Sequence, residues 1–170
     1  MSYQFRMCMK LNNLNDLLEH ELQDLYSAES QIIKALPKMA KAASSDALKD
    51  GFETHLEESE AQKERLEQAA EKLGIKLGGV MCKGMEGLLK EGEELLSEKP
   101  SPIVDQALIA AAQRVEHYEI AAYGCAITFA KLLGEDEVVD LLRETINEEE
   151  MTDEKLTEIA ESEQEEELEE

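Results

Sequence analysis

Residues 107–124, ALIAAAQRVEHYEIAAYG, decide how the rest of the chain reads. Advancing about 100° per residue, Ile109, Ala112, Glu116, Glu119, Tyr123, Ile127 and Ala130 fall on one helical face. Two carboxylates one turn apart therefore interrupt a seam of small, apolar side chains. The helix that carries them is predicted over 103–133. Lys99-Pro100-Ser101-Pro102 punctuates the chain before it, and Gly134 stops it.

Working outward, three more long amphipathic segments appear. The first runs from 14 to about 43 behind the possible caps Asn12 and Asn13, with Leu14, Leu18, Leu25, Ile32, Leu36 and Met39 on one face. Pro37 lies far inside it, where a kink or break is expected. Ser44-Ser45-Asp46 marks a turn and cap, and a second helix follows from 47 to about 73, ended by Gly74. The fourth occupies 136 to about 161. Between the second and third, a connection of roughly 30 residues is long enough to cross a bundle. It holds a short helix near 82–96, flanked by glycines, which can pack across one end. The fold class is all-α: a ferritin-like four-helix bundle with a short fifth helix in the crossover. One domain spans 11–160, with an N-terminal extension at 1–10 and an acidic flexible tail at 161–170.

Composition agrees. Hydrophobic residues make up 42% of the 170 and aromatics 4%, with no Trp, which disfavours sandwiches and barrels. The formal net charge is −23, and the last ten residues, with seven Glu and no base, leave −16 on the remainder. A surface that acidic repels nucleic-acid phosphate and anionic headgroups, so neither nucleic acid nor membrane is an expected partner. No apolar run approaches the ~18 residues of a spanning helix, and residues 1–10 lack a signal-peptide block. Cys8, Cys82 and Cys125 form no close-spaced pair, which points to a reducing cytoplasm.

Each long helix also places an acid inside its apolar stripe, near its midpoint. In the first helix it is Glu21, with Asp24 and Glu29 at the stripe's edges. In the second, His55 lies at the centre, flanked by Glu58 and Gln62. In the fourth, Glu149 is central, Asp153 lies one turn on, and Glu148 a quarter-turn outside. A chain with forty acids puts some on an apolar face by chance, but that is a poor account of the whole set with His55 in the same layer. Converging buried carboxylates without lysine or arginine repel one another. Two divalent cations sharing bridging carboxylates would neutralise about four of them; the Glu/His donor set suits iron first, with manganese or zinc as alternatives. Glu-x-x-His, the usual form, is absent: the second helix reads His55-Leu56-Glu57-Glu58. His20 and His117 lie off the stripe centres and are expected at the surface or in hydrogen bonds. Tyr123 is placed to donate to a ligating carboxylate, and Gln62 to Glu58. Met81, Cys82 and Met85 read as a packed short helix, and Cys125 as a structural residue.

HELQDLYSAESQIIKALPKMAKAA (20–43), HLEESEAQKERLE (55–67), CKGMEGLLKEGEELL (82–96), the 107–124 stretch and EEEMTDEKL (148–156) together resemble the YciE/YciF-type bacterial stress-protein family, a branch of the ferritin-like superfamily. The resemblance implies a bundle, commonly a homodimer, with a dinuclear metal centre. Its patterned positions fall here on Glu21, His55, Glu58, Glu116, Glu119 and Glu149, with Glu148 able to replace Glu149. The leading expectation is a stress-related protein that binds two metal ions and reacts with oxygen or peroxide, an oxidase or peroxidase-like activity. Glu116 and one of Glu58 or Glu149 would bridge; Glu21, His55 and Glu119 would be terminal. The alternative is a non-catalytic helical adaptor whose acidic surface recruits a basic partner. Iron storage is a third, weaker reading.

Overall fold

The structure, a computed structural model, describes residues 11–169, with side chains through 162. Its elements are α1 (Leu14–Ala42), α2 (Asp46–Leu73), α3 (Lys83–Glu93), a 3-10 turn (Glu94–Ser97), α4 (Pro102–Leu133) and α5 (Asp136–Glu169). Among the described residues there is no strand.

Local chemistry sets the boundaries. Asn13 caps α1 by accepting from Asp16 N, while the Asp16 carboxylate accepts from Asn12 N at 2.8 Å. Ser45 and Ser101 cap α2 and α4, the latter with Pro102 in the first turn, where its missing N–H costs nothing. Gly74 and Gly134 close α2 and α4 in the left-handed region, at φ 67° and 78°. α1 runs as one helix through Pro37, so the expected break does not occur there. That residue is exposed, so the carbonyl it leaves unbonded lies on the solvent side. Helical backbone also continues past 161 to Glu169, in keeping with the good helix propensity of glutamate. The 1–10 extension lies outside the described residues.

α1 packs on α2 and α4, and α5 packs on α4 and α2. One end of the core joins late α1, early α2, early α4 and late α5 (Leu36, Phe52, Leu108, Leu156). The other joins early α1, late α2, late α4 and early α5 (Leu22, Leu66, Ile127, Leu142). All adjacent helices are therefore antiparallel, and α2 runs parallel to α4. Residues 74–101 must return the chain along the whole bundle, which is the ferritin-like connection. α3 does not lie across one end. It packs beside α1 and α4, from the level of Tyr118, which faces Gly84, to that of Ala111, which faces Gly92. Gly84 is required there, since a Cβ would stand 2.6 Å from the Tyr118 ring. That ring is held in turn: Tyr118 Oη donates to Asp24 at 2.9 Å and lies 3.0 Å from Cys82 Sγ.

Asp105, 1% exposed, ties the α1–α2 turn to the start of α4. It accepts from Ser44 N and Ser45 N at 2.8 Å each and from Ser44 Oγ at 2.6 Å. Asp105→Ala strands these donors and is expected to cost about 3 kcal/mol of stability, read from urea unfolding.

Candidate metal centre

The two apolar ends of the core are separated by a polar layer at mid-bundle. Glu29, His55, Ser59, Gln62, Glu116, Glu119, Thr145 and Glu149 are all buried, none more than 3% exposed. They come from α1, α2, α4 and α5 because each of those helices is longer than either apolar cluster and crosses the layer near its midpoint. His55, Glu116, Glu119 and Glu149 each offer a ligand atom, all within 4.8 Å of one another.

Contacts within the layer are sparse. His55 Nε2 lies 3.4 Å from Glu116 and Nδ1 3.6 Å from Glu58, ion-pair distances without hydrogen-bond alignment. Glu29 accepts from Tyr123 Oη at 2.5 Å. Gln62 Nε2 donates to Glu149 and, at 3.1 Å, to Glu148. Glu148 stands outside the layer, gripped at both oxygens by Arg65 at 2.6 Å. Among the described residues, no lysine or arginine pairs with Glu29, Glu116, Glu119 or Glu149. Both ring nitrogens of His55, both oxygens of Glu119 and one oxygen each of Glu29, Glu116 and Glu149 have no hydrogen-bond partner.

Such orphaned groups are costly unless something supplies the missing charge. Burial, then the neighbouring Glu149, pushes Glu29 up to about 8. Burial raises Glu116 well above the ordinary carboxylate range, with Glu149 next in effect; Glu119 is raised likewise, by burial and then by Glu29. Burial and the Glu29 charge hold the Tyr123 phenol far above its usual value. A cation would reverse these shifts, and buried carboxylates with an imidazole are a donor set that fits iron, manganese or zinc. The layer is thus a buried His/Glu group that could hold a metal ion.

Of the residues expected from sequence, His55, Glu116, Glu119 and Glu149 meet here. Glu58 is at the rim, its side chain 36% exposed. Glu21 is not brought to the group: it is half-buried, and the charges acting on it are those of His20 and Asp24. The buried α1 carboxylate of the layer is Glu29. Leu14 and Leu17, whose spacing sets Glu21 within an apolar stripe, are only half-buried near the start of α1. The buried run Leu18, Leu22, Leu25, Glu29, Ile32, Leu36, Met39 alternates steps of four and three, a signal that points to Glu29. Asp24 holds Tyr118, and Asp153 lies 3.3 Å from the exposed His117. Gln62 serves Glu149 and Glu148 rather than Glu58. Sequence reasoning gave no role to Arg65 or Ser59. Cys82 is buried, whereas Cys125 is exposed and is not a core residue.

The raised carboxylates set a pH dependence. A carboxyl whose folded pKa exceeds its unfolded one binds the extra proton in the native state, so stability falls as pH rises between the two values. Metal-stripped protein is therefore expected to lose stability between about pH 4.5 and 8, and Glu29→Gln to flatten that slope while keeping an acceptor for Tyr123. Urea midpoints across this range check it.

A family model described as "Domain of unknown function (DUF892)" matches residues 13–169. The chain is 45% identical over 154 residues to Protein YciF of Escherichia coli (strain K12), covering 89% of this chain and 93% of that protein. The crystal structure of the E. coli stress protein YciF superposes with a TM-score of 0.87 at 43% identity, over 90% of this chain and 98% of that one. YcfI of Rhodopseudomonas palustris, described as a candidate structural protein, superposes at 0.83 and 44% identity, over 90% and 97%. No helix among the described residues is long and apolar enough to cross a membrane. With its helical bundle and its match over nearly the whole length, the chain belongs to the DUF892 family.

Proposed function

We propose that this chain is a stress-related, ferritin-like protein whose mid-bundle layer holds two divalent cations, iron before manganese, and reacts with oxygen or a peroxide. The observation that carries the reading is the set of unpartnered oxygens and ring nitrogens on Glu29, His55, Glu116, Glu119 and Glu149. Ionised, the four glutamates bring a charge of −4, which two divalent cations balance and which no nearby base does. A redox-active metal pair bound there would supply electrons to a small oxidant.

The protein's own residues prepare that site. His55, Glu116, Glu119 and Glu149 would hold the ions, with Glu29 as the α1 carboxylate beside them. Gln62 fixes the rotamer of Glu149 through its amide N–H, and Tyr123 fixes Glu29. Arg65 grips Glu148 at both oxygens and offsets much of its charge, which still contributes to the repulsion felt by Glu29. The apolar clusters on either side exclude bulk water and strengthen every electrostatic contact between them.

Protein purified without oxygen is expected to carry about two irons per chain and to change its absorbance when oxygen or peroxide is added. Substoichiometric metal and an unchanged spectrum would count against the reading. Glu116→Ala should abolish a metal-dependent rise in melting temperature. If that substitution instead left stability unchanged or higher with metal present, the layer would be a set of protonated acids in an adaptor.

A further inference from the structure

We propose that divalent cations reach the buried layer through a groove between α2 and α5, where Glu58 receives the ion from solvent and passes it to His55 and Glu116. This rests on reading the layer as a metal centre. A cavity of about 430 Å³ opens between these helices, walled by Phe52, Leu156 and Ile159 and reaching His55, Glu58 and Glu116. A cation with six waters occupies roughly 180 Å³ at about 30 Å³ per water, less than the volume of the cavity.

The polar groups form a graded line inward. Glu154 and Glu158 lie exposed on the lining, opposed there by Lys155 alone, so the opening is net acidic. Glu58, the partly exposed member of the line, comes next, with Thr152 Oγ1 donating to its carboxylate at 3.4 Å. The imidazole of His55, 3% exposed and unpartnered at both nitrogens, then spans from Glu58 at 3.6 Å to Glu116 at 3.4 Å. Glu58 can thus exchange ligands with water while touching the first buried donor. A resident ligand would be expected in the layer itself, where the other carboxylates are.

Gly51 offers a plug. A Cβ there meets only Ile159 Cδ1, at an ordinary contact distance of 3.6 Å, and Gly51 lines the groove that a longer side chain would enter. The test is stopped-flow uptake of cobalt(II), followed by its ligand-field absorbance, into metal-stripped full-length protein. Glu58→Gln and Gly51→Leu are each expected to slow uptake about tenfold or more while reaching the wild-type final absorbance. Wild-type rates in both variants would overturn the route. A fast Glu58→Gln variant with lower final occupancy would make Glu58 a resident ligand and overturn its transit role. Wild-type protein that takes up no cobalt would overturn the centre itself, a failure visible before any variant is made. Circular dichroism of the stripped proteins verifies folding, and Glu58→Gln carries the test if Gly51→Leu does not fold.

Discussion

Mutual repulsion among carboxylates in the middle of an apolar bundle is the constraint on which this structure turns. Glu29, Glu116, Glu119 and Glu149 meet from three helices, and His55 from a fourth, with water excluded above and below by two apolar clusters. At such separations in a low-dielectric interior, like charges interact by several kcal/mol, more than most single contacts in a protein contribute. The layer must therefore be neutralised by protons or by cations.

The surroundings are arranged consistently with that choice. The one nearby guanidinium, Arg65, is committed to Glu148, just outside the layer, and Gln62 links that pair to Glu149. Had Arg65 reached one turn further in, the layer would hold an internal ion pair and little need for a metal. On the opposite side, the crossover helix α3 is fastened by Asp24, Tyr118 and Cys82 and by the close approach at Gly84. The α1–α4 face is thereby covered, while the α2–α5 face keeps its groove.

Much of this was legible in sequence. The caps Asn13, Ser45, Gly74 and Gly134 and the helix spans followed from local chemistry, because each boundary carries a residue suited to one backbone conformation. The interrupted seam of α4 revealed Glu116 and Glu119, and Glu149 and His55 followed from stripe position alone. What escaped depended on tertiary context. Glu21 reads as inside the α1 stripe and Glu29 as at its edge, and packing against α4, which brings Tyr123 to Glu29, reverses that order. The placing of α3 along the bundle is set by how far the α2 end stands from the α4 start, a distance no local pattern encodes. The fate of Asp105, which captures the α1–α2 turn, depends likewise on residues some sixty positions away.

Anomalous diffraction at the iron edge, from crystals grown with ferrous ion under nitrogen, tests the central claim most directly. The account predicts two peaks within the layer, bonded to carboxylates of Glu116, Glu119 and Glu149 and to the His55 ring. An empty layer with Glu116 and Glu149 sharing a proton, at metal concentrations that saturate other sites, would contradict it.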